Sequence, residues 1–341
     1  LDIDKNDVWG IGGIETISET RIGADNLAWE RAIKSNLGIE GKLFNNKIDF
    51  VIDFFQDQRN GIFQPRVQVP DYVGVISNPY ANVGRMKSSG ADGNISYTTK
   101  LNSDMTLTLR GNFTYSKNVV QNWEQAYLEY SYLEFNGYPH NSIRGYQSLG
   151  LFKDEDDIKY SPTQSFGMVL PGDIKYKDVN GDGTINTLDK VPLTHSNYPL
   201  TMYGFGGEFR YKNLSLGVLF KGTGKTSFFY VGQPMTYKDV KENTGMGYMP
   251  FFGGTDGNVI TLANDPANRW IPRDYALQHG IDLSLAENPN AKFPRLQYGN
   301  NSNNSQLSSF WMDDARYLRL QELTLSYNVS PNFLKRLGVK S

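Results

Sequence analysis

The sequence predicts an all-β protein: an antiparallel transmembrane β-barrel, present in part as about seven to nine strands of a larger barrel, with long extracellular loops. Three observations lead to this fold class. Apolar and polar side chains alternate along several segments, these segments are unusually long, and the connections between them are short at one end and long at the other.

The segment from Ile48 to Asp57 shows the alternation most clearly. Its even positions are apolar and carboxylates recur between and after them: Ile48, Phe50, Ile52 and Phe54 against Asp49, Asp53 and Asp57. Because successive side chains of a strand point to opposite faces, the segment has one apolar face and one that accepts charge. We interpret it as a strand that separates hydrocarbon from water.

Pairs of such runs joined by short polar turns predict three hairpins. Their strands lie at 33–43 and 48–54, at 95–101 and 107–115, and at 203–211 and 214–220, and a last run covers 323–329. Tyrosines lie near the ends of the apolar rows, where an interfacial girdle would be, at Tyr97, Tyr115, Tyr203, Tyr211 and Tyr327.

Length and connectivity favour a membrane barrel. The runs have about 9 to 16 residues, whereas strands of soluble proteins have about 5 to 6 and a tilted membrane-crossing strand needs about 9 to 11. The remaining connections, at about 64–90, 119–199 and 223–311, are long and rich in Gly, Asn, Pro and Tyr. Short periplasmic turns and long outer loops are typical of outer-membrane barrels. A large soluble antiparallel barrel or sandwich is the alternative interpretation.

Composition excludes several classes of protein. The 341 residues carry a net charge of -2 and include 34 glycines and no cysteine, and the mean hydropathy is -0.49. No stretch approaches the roughly 18 consecutive apolar residues of a spanning helix, which excludes a helical membrane protein. Without clustered Lys or Arg, no nucleic-acid partner is expected. Absence of cysteine suits an oxidising periplasm.

The two ends of the chain suggest a piece of a larger protein. Leu1–Asp4 lacks the basic start and apolar core of a signal peptide, so a mature or truncated product is expected. Leu337–Ser341 resembles the opening of a further strand, and an odd strand count does not suit a closed single-chain bacterial barrel.

One long loop contains the strongest local motif, between Asp178 and Asp189. Its spacing matches a calcium-binding loop at positions 1, 3, 5, 6, 7 and 12, with the predicted ligands Asp178, Asn180, Asp182, Thr184 through its carbonyl, and Asp189. Hard oxygen ligands at alternating positions can wrap one cation. Asp189 replaces the usual longer Glu, and an Asn/Gly/Asp-rich turn without an ion is the alternative.

Other apparent motifs carry no chemistry. Gly222–Thr226 resembles the end of a phosphate loop but lacks the earlier glycine, and His140, His195 and His279 have no metal-ligand spacing. No pair of carboxylates is singled out as acid and base, and no Gly-x-Ser-x-Gly elbow is present. We therefore predict that the protein is not an enzyme and has no catalytic residues.

The chain resembles the SusC/RagA-like TonB-dependent receptors of the Bacteroidetes outer membrane. The resemblance runs from about residue 27 to the end, through these segments in the family's order: Trp29-Glu30, Asn36-Leu37-Gly38, Gly137-Tyr138-Pro139, Gly145-Tyr146, Gly150-Leu151-Phe152, Pro171–Tyr176, Asp178–Asp189, Phe310-Trp311 and Ala315–Leu320.

This resemblance implies the C-terminal portion of a larger plugged receptor barrel over residues 1–341, with 119–199 and 223–311 as extracellular loops. Plug domain and final strands would be absent, and TonB would act through the absent N-terminal part. It further implies location in the outer membrane of a Gram-negative bacterium and a SusD-like lipoprotein partner. The cargo would be an oligosaccharide or, in some members, a peptide.

Under this import hypothesis each face has a role. Apolar rows contact the lipid bilayer, and the inward side chains Asp49, Asp53, Arg110, Glu208 and Arg210 meet a plug or water. Loop aromatics are the candidate ligand-binding residues: Trp123, Tyr127, Tyr130, Tyr132 and Trp270. Loops also pack on each other through aromatic clusters, so a structural role is the alternative. Two rival classes remain, a secreted calcium-stabilised carbohydrate-binding β module and a soluble carbohydrate-active enzyme.

Overall fold

The largest element of the computed structural model is a single seven-stranded antiparallel sheet. The structure describes residues 2–4, 16–18, 23, 27–67, 78–140, 142–193, 198–229, 251–252, 258–259, 261–297 and 301–329. The sheet strands are β1 (Arg31–Leu43), β2 (Ile48–Pro65), β3 (Tyr80–Lys100), β4 (Met105–Asn122), β5 (Thr201–Tyr211), β6 (Leu214–Gly224) and β7 (Tyr317–Tyr327). They lie side by side in chain order, and β1 and β7 are the open edges. The predicted all-β class and the partial barrel are confirmed.

The connections differ at the two ends of the sheet, as predicted. Turns at 44–47, 101–104 and 212–213 join β1 to β2, β3 to β4 and β5 to β6. Phe44, Asn45 and Asn46 all have positive φ, between 55° and 64°, which closes the first turn tightly. Neighbouring turns are tied together, since the Lys212 amide donates to the Asp104 carbonyl at 2.8 Å.

Strand β3 is longer than the sequence predicts. Residues 80–90 belong to the sheet, although they were predicted to lie in the loop 64–90, because this Gly-, Ser- and Lys-containing stretch shows no apolar alternation. Pairing on both sides holds it in the sheet. Gly90 permits the close approach, since a Cβ there would lie 2.0 Å from the Tyr115 carbonyl oxygen.

Register brings the apolar rows of all seven strands onto one face. One cross-strand row runs across the whole sheet through directly paired residues: Leu43, Ile48, Tyr97, Leu109, Gly207, Val218 and Leu323. Many large apolar side chains on this face are exposed, and Leu325 reaches 70%. Among the described residues, the main cluster of buried hydrophobic side chains includes none from the seven strands, and Val120, near the long-loop end of β4, is the one apolar strand residue that is buried.

The opposite face of the sheet is polar. Its rows include the predicted inward residues Asp49, Asp53, Arg110, Glu208 and Arg210. Two ion pairs lie here, Lys42 Nζ to Asp49 Oδ2 at 3.2 Å and Arg210 Nη2 to Glu208 Oε1 at 2.9 Å. The parity predicted from the sequence is therefore the parity of the folded sheet.

The hydrophobic core lies in the long connections. We call the described parts of 123–200 and 225–316 the loop assembly. Its core side chains are Tyr146, Leu151, Ile174, Tyr176, Ile185, Ala263, Trp270, Ala291, Phe293 and Trp311. Because these residues come from both connections, the two connections fold as one packed unit.

Short elements build the loop assembly. Its strand pairs are Arg144–Gly145 with Val191–Pro192, Ser148–Leu151 with Ile174–Tyr176, Thr163–Gln164 with Thr184–Ile185, Ser227–Phe229 with Met312–Asp314, and Phe251–Phe252 with Asn258–Val259. Its α-helices are Glu155–Lys159, Thr261–Asn264 and Arg273–Gln278. Its 3-10 helices are Ser131–Leu133, Thr187–Asp189, Leu283–Leu285 and Ser309–Trp311. Outside the assembly, Asp2–Asp4 pairs with Thr16–Ser18.

In the part of the chain that the structure describes, no helix has the length and apolar character needed to cross a membrane.

Candidate functional site

The Asp178–Asp189 loop curls back on itself through its own carboxylates. Asp178 accepts hydrogen bonds from the amides of Gly181 at 2.7 Å and Gly183 at 2.8 Å. Both glycines have positive φ, 76° and 82°, a conformation that side-chain-bearing residues seldom adopt. Asp182 accepts from the Thr184 amide at 2.7 Å. Alternating acids and glycines therefore produce the curvature that a cation-binding loop needs.

Asp189 closes the loop from its far end. This carboxylate is fully buried and accepts from the amides of Val179 and Asn186, both at 2.8 Å. The Asn186 side chain in turn accepts from the Leu188 amide, which forms a capping box on the 3-10 helix Thr187–Asp189. The shorter Asp at position 12 thus ties the first and last parts of the loop together.

The predicted cation ligands offer a mixed set of oxygens. The carbonyls of Gly183 and Ile185 accept from the neighbouring strand Thr163–Gln164 and the residue after it, so the carbonyl of Thr184 between them points to the other side. Carboxylate oxygens that accept one hydrogen bond keep a further lone pair. Among the described residues no group of three or more acidic or histidine side chains is arranged to hold a metal. A cation here would therefore depend on the Asn180 amide and the Thr184 carbonyl as well.

Two of the predicted ligand-binding tyrosines lie against this loop. The rings of Tyr130 and Tyr132 stack at 5.4 Å, and the Tyr132 hydroxyl donates to the Leu188 carbonyl at 2.8 Å. The Asn180 amide donates to the Tyr130 hydroxyl at 3.5 Å. Burial, and then the negative charge of Asp189 and other nearby groups, raises the pKa of Tyr132. The structure thus brings the predicted metal loop and part of the predicted aromatic set together.

Arg144 fixes the segment that carries these tyrosines. Its guanidinium donates to the carbonyls of Tyr132 and Glu134 and lies over the rings of Phe135 and Tyr138, 5.4 and 4.9 Å from their centroids. Sequence reasoning did not identify this residue, because an isolated arginine in a long loop carries no signal until its partners are known.

The other predicted aromatics lie apart. Tyr127 is 91% exposed, and Trp123 packs beside His140 with ring centroids 5.6 Å apart. Trp270 is only 5% exposed and belongs to the hydrophobic core, where Gly172 must lack a side chain to admit its ring. The two long connections close over Trp270 and place its ring in this core, and its role in ligand binding stays a prediction.

A buried polar network, which the sequence reasoning missed, joins the two long connections. Asp173 is fully buried and accepts hydrogen bonds from Arg295 Nη2 at 3.1 Å, Asn301 Nδ2 at 3.0 Å and Asn304 Nδ2 at 2.9 Å. Gln164, also buried, donates to Asn303 Oδ1 at 2.5 Å. The run of asparagines at 300–304 was the available signal, and it reads as an ordinary polar loop until its partners are seen.

Comparison with proteins of similar sequence points to one kind of receptor. TonB-dependent receptor P3 of Formosa agariphila is 23% identical over 334 residues, which cover 94% of this chain and 29% of that protein. TonB-dependent receptor P26 of the same organism is 24% identical over 330 residues, 93% of this chain and 29% of that protein. The chain spans less than a third of the length of these curated relatives. No family model matches it.

Solved structures give the same fold. The RagAB peptide importer in its "open-open" state matches with a TM-score of 0.64 and 18% identity over 98% of this chain and 31% of that chain. Its "closed-closed" state matches with a TM-score of 0.61 and 19% identity, covering 98% and 32%. Nearly the whole chain is thus similar in sequence to part of TonB-dependent receptors, and its fold, with long strands, connections that are long at one end only and a continuous apolar face, is that of part of the RagAB peptide importer.

Proposed function

We propose that the chain forms part of the wall of an outer-membrane importer that takes up nutrients with energy supplied through TonB. The observation that carries this proposal is the apolar row that crosses all seven strands, whose members are exposed or half-buried and lie outside the hydrophobic core. In water such a face would need a covering layer, whereas in a bilayer the lipid tails cover it. The relatives are named as receptors, which supports transport over catalysis.

Orientation follows from the connections. The short turns at 44–47, 101–104 and 212–213 lie on the periplasmic side, and the loop assembly lies outside the cell. The polar face, with Arg110 and Glu208, lines the interior of the barrel. TonB engages a part of the receptor that this chain does not cover.

The loop assembly is the part of the chain that would contact the cargo and the partner protein. We infer that a SusD-like surface lipoprotein docks on it and that the cargo is an oligosaccharide or a peptide. The packed core of the assembly supports a docking role, because it gives the outer surface a fixed shape. The structural neighbour is named as a peptide importer, which makes peptides the first cargo to test.

A growth experiment tests the import proposal. Deletion of the receptor gene in the producing bacterium should abolish growth on one class of peptides or oligosaccharides as sole nutrient, and re-expression should restore it. Disruption of TonB should give the same defect. Unchanged growth of the deletion strain on every peptide and oligosaccharide offered would contradict import.

Membrane insertion separates the proposal from its main alternative, a secreted calcium-stabilised carbohydrate-binding module. Leu109 and Leu323 lie in the apolar row with exposures of 48% and 65%, which disfavours a water-soluble module. The full receptor should fractionate with outer membranes and need detergent for extraction. Recovery as a detergent-free monomer would favour the alternative.

We also propose that the Asp178–Asp189 loop binds one calcium ion. The support is the set of hard oxygens from Asp178, Asn180, Asp182, Thr184 and Asp189 in a loop that already curls through its own carboxylates. Bound calcium would join the two halves of the loop and would stiffen the tyrosines that pack on it.

Calorimetry on the detergent-purified receptor tests this second proposal. Calcium should bind with a stoichiometry of one per loop, and Asp182→Ala should abolish the heat while Asp156→Ala, on an exposed helix outside the loop, keeps it. Magnesium should compete poorly, since it demands a stricter octahedral site. Absence of calcium heat in the wild-type receptor would refute the site and leave the import proposal intact.

A further inference from the structure

A cavity of about 620 Å³ lies where the loop assembly meets the ends of β6 and β7. Its size is within the range of roughly 300 to 1,000 Å³ found for small-ligand sites. The lining comes from four separate stretches of the chain, 138–139, 192–193, 225–227 and 312–316. A site assembled in this way is accessible from the long-loop end of the sheet, where a cargo would arrive under the import proposal.

Backbone hydrogen bonds hold the walls of this cavity in place. The Val120 amide donates to the Tyr138 carbonyl and the Leu193 amide to the Ile143 carbonyl, both at 2.8 Å. The Ala315 amide donates to the Thr226 carbonyl at 3.0 Å. The strand pair Ser227–Phe229 and Met312–Asp314 forms a further wall. The cavity is therefore formed before any ligand binds, which lowers the entropic cost of binding.

The lining combines aliphatic surface with charges of both signs. Pro139, Pro192, Leu193 and Met312 are apolar, and the charged residues are Lys225, Arg316, Asp313 and Asp314. Asp314 pairs with Arg316, and both are well exposed. In the described part of the chain Lys225 makes no ion pair, and its backbone has a positive φ of 50°, which is uncommon outside glycine. Lys225 is exposed at the edge of the cavity, and a lysine without an ion pair there is suited to an anionic group.

The aromatic content of the cavity disfavours a sugar. Rings with a free face are the usual platform for a pyranose, and Tyr138 is the one aromatic residue among the described residues that line the cavity. One face of its ring already carries the Arg144 guanidinium, 4.9 Å from the centroid. Aliphatic walls with separated positive and negative groups instead match a peptide, which has apolar side chains, a terminal ammonium group and a terminal carboxylate.

We propose that this cavity binds the end of a short peptide, with Lys225 receiving the terminal carboxylate, Asp314 facing cationic groups, and Leu193 and Met312 covering an apolar side chain. The inference rests on the proposed import function and narrows it to peptides as the cargo class.

Equilibrium titration of the detergent-purified full receptor tests the cavity directly. The probes are an equimolar tetrapeptide library with free ends, the same library with amidated C-termini, and maltohexaose. Lys225→Glu should weaken binding of the free-ended library about tenfold, the loss expected for one charge-assisted contact, and should leave the weaker amidated library unchanged. Lys225→Asn, which removes the charge and tolerates positive φ, should give a smaller loss in the same direction.

Lys159→Glu is the matched control, since it reverses an exposed lysine on the helix Glu155–Lys159, away from the cavity. It should bind all three probes as the wild type does. Equal binding of free and amidated libraries, or no difference between Lys225→Glu and Lys159→Glu, would overturn the proposal. A receptor that supports growth on oligosaccharides, binds maltohexaose and ignores peptides would overturn it too while leaving the import proposal standing.

Discussion

The sheet and the loop assembly differ in where their apolar side chains lie. In the sheet, side chains such as Leu323 and Leu325 remain 65% and 70% exposed although they are aliphatic. In the loop assembly, Ile174, Ile185 and Trp311 are buried in a core of the kind found in water-soluble domains. The apolar face of the sheet therefore needs lipid around it, whereas the loop assembly buries its apolar side chains against one another.

The difference teaches that hydrophobicity alone does not locate a core. Apolar residues in the sheet follow a period of two and face outward, whereas those in the loop assembly are scattered in sequence and converge in space. Polar groups differ in the same way. The sheet presents its ion pairs to an open face, and the loop assembly buries Asp173 among donors from the other connection.

Among the predicted effects on stability, removal of the Asp173 carboxylate should give the largest. Asp173→Ala leaves the Arg295 guanidinium without its buried partner, and loss of one member of such a pair costs about 3–5 kcal/mol. Native-state hydrogen exchange of the full receptor should show this loss as faster opening of the amides of Ile174 and Tyr146, both in the loop assembly.

Two comparisons make that prediction specific. The sheet amides should exchange as in the wild type, because no described sheet strand contributes to the buried cluster that surrounds Ile174 and Tyr146. Glu129→Ala, an exposed carboxylate outside the network, should have no measurable effect. If Asp173→Ala opened the sheet and the loop assembly alike, the two regions would not be separate units of stability.

A charge on the apolar face should give the next largest effect. Leu109 and Thr108 are adjacent in β4 and point to opposite faces, so Leu109→Arg and Thr108→Arg form a matched pair. Leu109→Arg should destabilise the receptor in bilayers by about 2–4 kcal/mol, the cost of an arginine near the bilayer midplane. Thr108→Arg, on the polar face beside Thr98, should cost much less.

Unfolding in urea from lipid vesicles measures both variants. A reversed order, with Thr108→Arg the more harmful, would mean that the polar face contacts lipid. Equal small losses would mean that neither face does, and would remove the distinction between the sheet and the loop assembly.

The smallest predicted effect on stability comes from an ion pair of Asp157 on the surface of the loop assembly. Burial disfavours the charged form of Asp157, but hydrogen bonds from Lys175 Nζ and the Lys153 amide, with both positive charges, outweigh it and lower its pKa. Lys175 Nζ lies 2.7 Å from Asp157 Oδ1. A lowered pKa adds stability above the unfolded value of about 3.9, and this stability is lost as the pH falls through the folded value.

Asp157→Asn should therefore destabilise the loop assembly by about 0.2–1 kcal/mol at neutral pH, as expected for a surface ion pair. The difference from the wild type should vanish in acid, below the folded pKa of Asp157. Glu129→Gln, which replaces an exposed carboxylate outside this ion pair, is the control for the substitution itself. A penalty for Asp157→Asn that persisted in acid would show that packing, and not charge, is responsible. Proteolytic susceptibility of the loops as a function of pH measures the effect.

The sequence predicted the sheet far better than the site. Three hairpins, the last strand, the short turns and the parity of Asp49, Arg110 and Glu208 could be read directly, because period-two alternation is a local property of a strand. The first part of β3 could not be predicted, since its Gly- and Ser-rich residues show no apolar alternation. Pairing with the strands on both sides holds them in the sheet.

The candidate site, like the sheet, could be predicted from the sequence only in part. Asp178 to Asp189 was recognisable because its ligand spacing lies within one short segment, and that segment does curl as the spacing predicts. The burial of Trp270 and the network around Asp173 could not be predicted, because burial and long-range partners depend on where the second long connection folds back. Calcium binding itself remains a prediction.

By itself, the order of residues determined which side chains share a face, where the chain turns tightly and which segment can curl around a cation. Each of these depends on neighbours a few positions away. Only the tertiary structure decided that the two long connections form a core of their own, that Trp270 lies inside it and that Lys225 lines a cavity. The physical reason is that burial is set by residues far apart in sequence, brought together when the connections pack on each other above the sheet.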